Sequence, residues 1–317
     1  MALALLACLP GICNVAAGQQ PAAPLSPAYV EENPAPPFDM VYEPVLPRDS
    51  APAPDFDPYE ISRQEPWEWQ LVPSGLIYHS YMAGTREPSL RAVTSYVKGF
   101  GQVWDATLGG RAGLIRYGTT DTDTPEGWQF DLEGAAMPRI DPTQPSSPLI
   151  AADFRFGFPL TFGYGPFHAK IGYYHLSSHL GDEWLLLNPG IQRVNYVRDA
   201  AVFGVGYYFW NQFRAYGEVA VSSTDGGSKP LEFQFGLEYS PTCNSFWGAP
   251  FAAVNAHLRQ EVNFGGNIVV QAGWQWRPGR SARRFRVGLQ YYDGYSEQWE
   301  FFNQRETKFG GGVWYDF

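Results

Sequence analysis

The end of the chain alternates in character with a period of two, which restricts it to an extended strand with one apolar face. Phe309, Gly311, Val313, Tyr315 and Phe317 share that face, because side chains two apart on a strand point the same way. The pattern recurs upstream. Leu231, Phe233, Phe235, Leu237 and Tyr239 oppose Glu232, Gln234, Gly236, Glu238 and Ser240. Phe213, Ala215, Gly217, Val219 and Val221 oppose Arg214, Tyr216, Glu218, Ala220 and Ser222. Phe285, Val287, Leu289 and Tyr291 oppose Arg284, Arg286, Gly288, Gln290 and Tyr292. Ile150, Ala152, Phe154, Phe156, Phe158, Leu160 and Phe162 fall together, opposite Asp153 and Arg155.

A soluble sandwich also alternates, and two features favour a membrane over it. The strands run about ten residues, the length a tilted strand needs to cross the hydrocarbon layer, whereas sandwich strands are usually shorter. The apolar face is aromatic at strand ends, as at Trp274 and Trp276, which matches the girdles of a membrane barrel. Composition agrees. Aromatics make up 16% of the residues while mean hydropathy is only −0.28, and no apolar run of about 20 residues follows the N-terminus, as a helical membrane protein would require. A barrel combines these properties because only alternate residues meet lipid. Net charge is −10, and no basic cluster is long enough to bind nucleic acid.

The expected fold is therefore all-β: a transmembrane antiparallel β-barrel of about twelve strands. Strands are predicted near 76–83, 104–117, 127–136, 149–162, 167–178, 197–209, 213–223, 231–240, 249–260, 266–277, 284–293 and 308–317. The long stretches 137–148, 179–196 and 294–307 then fall at outer positions. The short stretches 163–166, 210–212 and 278–283 fall at inner ones, with both termini periplasmic. Residues 84–103 fit this scheme least well. The inward faces carry Arg111, Asp131, Glu133, Asp153, Arg155, Lys170, Arg214, Glu218, Glu232, Glu238, Arg284 and Arg286. Both signs are present, which predicts a lumen packed with salt bridges rather than the open water of a wider barrel.

Residues 1–18 are uncharged and apolar, with small residues at Ala16, Ala17 and Gly18, as in a cleavable signal peptide. Residues 19–66 are rich in Pro, Ala and acids and read as a disordered Pro-rich periplasmic segment. The barrel occupies residues 67–317. Cys8 and Cys13 lie in the leader, so Cys243 alone would remain, with no intramolecular disulfide and no cysteine metal site.

One stretch carries chemistry. His175, Ser177 and His179 share the phase of Phe167, Ala169, Ile171 and Tyr173, so they project toward lipid near the outer rim. A histidine within reach of a serine is the base and nucleophile of an acyl hydrolase. Asn195 is a candidate orienting residue, with Asn188 and Asp199 as alternatives, and Asp182 or Glu183 could fold back. The same polar residues could instead hydrogen-bond one another and lipid head groups at the rim. His179, Asp182 and Glu183 could also hold a divalent cation such as calcium. His79, His168 and His257 are isolated and read as satisfied lumen or interface residues.

The run His175-Leu176-Ser177 resembles outer-membrane phospholipase and lipid A deacylase. These small barrels carry a His-x-Ser pair on the lipid side of a strand and a polar orienting residue on the next. No Asn or Glu follows here at the family spacing. A broader resemblance is to domain-of-unknown-function family 1207, uncharacterised bacterial outer-membrane proteins. It lies in residues 175–183 (HLSSHLGDE) and 108–113 (LGGRAG) and would cover most of 67–317. It implies an outer-membrane location. The aromatic C-terminus resembles the signal read by the barrel-assembly machinery. The expected function is an outer-membrane barrel with a charge-packed lumen and a structural or small-solute role. The alternative is a lipid acyl hydrolase, with outer-membrane lipids as partners.

Overall fold

The structure, a computed structural model, describes residues 65–317 apart from 225, 242–245 and 278–282. The expected signal peptide, all but the last two residues of the 19–66 segment, Cys243 and most of the 278–283 turn lie outside the described residues.

The strands are β1 (Glu68–Leu71), β2 (Leu90–Val97), β3 (Gly101–Gly118), β4 (Gly127–Ile140), β5 (Leu149–Tyr164), β6 (Phe167–Leu180), β7 (Val197–Phe209), β8 (Phe213–Ser222), β9 (Leu231–Tyr239), β10 (Ala249–Arg259), β11 (Gly266–Trp276), β12 (Arg284–Tyr295) and β13 (Arg305–Asp316). From β2 to β13 each strand pairs antiparallel with its chain neighbours, and β13 pairs with β2 to close a twelve-stranded barrel. Closure leaves the wall without an edge, so its backbone polar groups are paired where no water can satisfy them. The short β1 adds to the edge of β3, Glu68 opposite Gly118 and Leu71 opposite Ile115.

The period-two pattern becomes the two faces of this wall. Phe154, Phe156, Phe158 and Leu160 point outward and are exposed, while Asp153 and Arg155 between them are buried in the lumen. Exposed aromatics collect at both ends: Tyr117, Trp128 and Trp274 at the end where β13 finishes, and Tyr96, Phe100 and Trp104 at the far end. The long connections 141–148, 181–196 and 296–304 all lie at the far end. Among the described residues no helix is long and apolar enough to cross a membrane.

The strand expected at 76–83 is not part of the wall. Leu76, Ile77, Tyr78, Tyr81, Met82 and Ala83 are buried because residues 73–89 run inside the barrel as a plug. An apolar run this short fits a core segment as well as a strand. The true first wall strand, β2, lies in the 84–103 stretch, and the count of twelve is unchanged.

Buried carbonyls need donors, and plug carbonyls without a ladder partner take theirs from arginines of the wall. Arg116 Nη2 donates to Ser74 O (2.9 Å) and Gly75 O (3.0 Å), and Arg111 Nη1 to Tyr78 O (2.7 Å). Arg214 Nη2 donates to His79 O (2.9 Å) and Arg286 Nη2 to Met82 O (3.2 Å). Gly75, where the chain turns inward, has φ +80°, and a Cβ there would lie 2.3 Å from Thr122 O. Tyr81 stacks on Tyr216 with ring centroids 3.8 Å apart.

A second stopper enters from the far end. Residues 296–301 are all buried. Glu297 is paired with Arg91 (2.8 Å) and with Lys308, and Arg86 Nη1 of the plug donates to Glu297 O (2.9 Å). Arg86 also faces Asp153 at 2.7 Å. Between plug and stopper lies a cavity lined by Arg86, Arg155, Tyr174, Glu232, His257 and Trp299, with room for about one water molecule. The remaining lumen holds ion pairs such as Arg111–Glu133–Arg155 (2.5 and 2.9 Å) and Lys170–Glu218 (2.6 Å).

Candidate functional site

Strands β5, β6 and β7 lie side by side, and their register places Phe156, His175 and Asp199 in one row. Ser177 lies in the next row of this face, between Phe154 and Val197. On β6, Tyr174, Leu176 and Ser178 are buried toward the lumen, whereas His175, Ser177 and His179 are on the outer face.

His175 Nδ1 lies 2.8 Å from Asp199 Oδ1, and each of these side chains is 29% exposed. Tyr173 Oη donates to the same carboxylate oxygen at 2.5 Å. A carboxylate only accepts, so Nδ1 carries the proton, and in the neutral imidazole that leaves the lone pair on Nε2. The imidazole sits against the Phe156 ring, centroids 5.1 Å apart. This arrangement equips His175 to take a proton at Nε2 while Asp199 fixes its tautomer. Ser177 is half-buried on the same face, and among the described residues its hydroxyl makes no hydrogen bond, to His175 or otherwise.

The surroundings are apolar: Phe154, Phe156 and Phe158 on one side, Phe203 below on the other. Charged groups on the lipid face of a barrel cost free energy that grows with depth. The site lies near the far rim, where that cost is small; Asp199 is the third residue of β7, and its amide donates to Thr224 Oγ1 in the connection between β8 and β9 (3.1 Å).

Asn195 is exposed in the loop before β7 with φ +51°, and it is Asp199, one of the alternatives, that meets His175. The sequence signal for Asp199 is a charge in the outward phase of an otherwise apolar strand, between Val197 and Ala201. The cation grouping is not assembled. His179 projects outward from β6 beside Phe154, while Asp182 and Glu183 are exposed in the first turn of a short helix, α1 (Asp182–Leu187). Asp182 pairs with Arg193 at 3.4 Å. Among the described residues no three His, Cys, Asp or Glu side chains are grouped to hold a metal ion. His168 and His257 are lumen residues, His168 Nδ1 2.6 Å from Ile77 O and His257 Nε2 3.3 Å from Glu232. His79 lies in the plug, 3.3 Å from Phe317 O.

A closed twelve-stranded barrel with an apolar outer belt and a polar cluster set into it defines a β-barrel of the outer-membrane type. The chain belongs to the family described as protein of unknown function (DUF1207), whose model matches residues 67–317. No curated protein sequence matches it. Among solved structures it is similar to the outer membrane phospholipase dimer of Salmonella typhi with bound calcium. The TM-score is 0.50 at 13% identity, covering 74% of this chain and 93% of that one. It is also similar to outer membrane phospholipase A of Escherichia coli (TM-score 0.48, 12% identity, 72% and 90% covered). A mutant porin of Rhodopseudomonas blastica gives a TM-score of 0.33 at 12% identity, with 73% and 98% covered. At 13% identity the likeness to the Salmonella typhi protein is one of fold.

Proposed function

We propose that this protein is a lipid acyl hydrolase of the bacterial outer membrane, working on its lipid-facing wall. Ser177 is the nucleophile, His175 the general base and Asp199 the orienting acid. The observation that carries the reading is the 2.8 Å contact of His175 with Asp199, on the same outward face as Ser177. A membrane lipid reaches this face laterally, without entering the lumen. Ser177 Oγ attacks the ester carbonyl carbon while His175 Nε2 takes its proton, and Asp199 stabilises the resulting imidazolium. The proton passes to the departing alkoxide, and water then hydrolyses the acyl-serine with His175 again as base. The Ser177–His175 hydrogen bond forms as substrate binds; such bonds are often open in unliganded sites. The far end faces outward and the termini face the periplasm in this reading. No step is assigned to a divalent cation, since His179, Asp182 and Glu183 do not converge.

The test is release of fatty acid from phospholipid or lipid A by the purified, heat-modifiable protein, and its loss in Ser177→Ala. Equal release by that variant rejects the assignment. A purely structural role is the second reading, favoured by the plug and stopper that fill the lumen from both ends.

A further inference from the structure

We infer that Glu300, inside the far mouth of the barrel, is a positioning residue for the site on the outer wall; this rests on the hydrolase reading. Glu300 is buried on the stopper and, from within, links the backbone of the connection entering β7 to the Ser178 side chain of β6. Its Oε2 accepts from Val194 N (2.8 Å) and its Oε1 from Tyr196 N (3.3 Å). Its own amide is 3.0 Å from Ser178 Oγ, and Ser178 donates to Asp153.

Alternation makes these contacts relevant to the outer face. Ser178 follows Ser177 and points the opposite way, and Tyr196 immediately precedes the strand that carries Asp199. The ladder between β6 and β7 ends at Ser177 opposite Val197, only two rows beyond His175 opposite Asp199. The row after that is held by Ser178 N donating to Tyr196 O (2.9 Å). Ladder ends open most readily, and here the ladder gives way to the 181–196 connection. Glu300 pins that connection where it enters β7. The hold extends inward, because Trp299 N donates to Asp153 Oδ2 (3.2 Å), Trp299 lies 4.7 Å from the Tyr196 ring, and Arg86 of the plug faces Asp153. The contents of the lumen thereby brace the end of the ladder that carries the lipid-facing pair.

Removing the carboxylate frees residues 194–196 and loosens His175 from Asp199 without touching the surface a lipid would contact. The experiment compares full-length wild type, Glu300→Ala and Glu300→Gln in mixed micelles of detergent and phospholipid. In Glu300→Ala, kcat should fall by about 10–100-fold with KM unchanged, less than the roughly 10²–10⁴-fold worth of a positioned acid–base group. Glu300→Gln keeps an acceptor for Val194 N and should recover part of the loss. A second readout does not need turnover: the downfield Hδ1 resonance of His175 in 15N-histidine-labelled protein, identified by its absence in His175→Ala. It should broaden or vanish in Glu300→Ala while heat-modifiable migration persists. A Glu300→Ala protein with wild-type kcat and an intact resonance overturns the inference. So does a Glu300→Ala protein that fails to fold, if Glu300→Gln is folded and fully active. If wild type releases no fatty acid, the hydrolase reading falls, and the resonance alone then decides whether Glu300 holds the pair.

Discussion

Asp199 stands directly across from His175 on the adjoining strand, Oδ1 2.8 Å from Nδ1, although 24 residues separate them in the chain. The hairpin register brings them together, on a wall face that also carries Phe156 and Ala201. Tyr173 completes the group by donating to the same oxygen.

Asp199→Ala should leave the barrel folded and lower kcat for acyl release by about 10²–10⁴-fold, since the imidazole loses both its tautomer bias and its counter-charge. Steady-state kinetics on dispersed phospholipid read this directly. A loss confined to KM would mean that Asp199 binds lipid rather than orienting the base.

The lumen is closed by the plug at 73–89 and the stopper at 296–301, joined through Arg86 and Glu297. Planar bilayers containing wild type should show no steady conductance. Replacing residues 76–87 with a short Gly-Ser linker should produce one. Stable open channels in wild type would contradict a sealed lumen.

Glu133 lies between Arg111 (2.5 Å) and Arg155 (2.9 Å), all three buried. Glu133→Ala strands two guanidinium groups, and breaking such a buried pair costs about 3–5 kcal/mol. The folded band should convert at a markedly lower temperature or denaturant concentration than in wild type.

Two carboxyls in the lumen segments respond to pH in opposite directions. Burial alone would raise Glu297, but Lys308, Arg91 and Arg139 outweigh it and hold its carboxyl well below the ordinary value of 4.5. Its charge therefore stabilises the fold above that value, and the contribution is lost as pH falls through the folded one. Burial pushes the Glu87 carboxyl above 4.5, so its ionisation works against the fold as pH rises. Glu297→Gln should then destabilise the barrel at pH 7 and have progressively less effect in acid. Glu87→Gln should be neutral in acid and stabilising at pH 8. Unfolding curves at several pH values separate the two; the same pH trend in both variants would refute these environments.

Much of the wall was legible in the residues. In β9 and β12 each outward Phe or Leu is flanked by Glu, Gln or Arg, and lipid outside a charged lumen allows such a strand one orientation. The same phase put His175 and Ser177 on the outer face. The plug was not legible, because Leu76 to Ala83 is apolar in the manner of a strand, and β2 hides its phase by turning Val93 and Val97 inward and Thr94 outward. Asn195 competes with Asp199 in the sequence because the outward phase of Asp199 is decisive only once β7 is paired with β6 in this register.

The sequence by itself determined the barrel and, along most strands, which side chains face lipid, since alternation is a local property that lipid and a charged interior enforce. Only the tertiary structure decided that residues 73–89 and 296–301 fill the lumen, that Asp199 meets His175 across the β6–β7 ladder, and that Glu300 binds the connection entering β7. Those contacts join segments as much as 211 residues apart, as between Arg86 and Glu297. They depend on ladder register and side-chain reach across the lumen, which no single stretch of chain encodes.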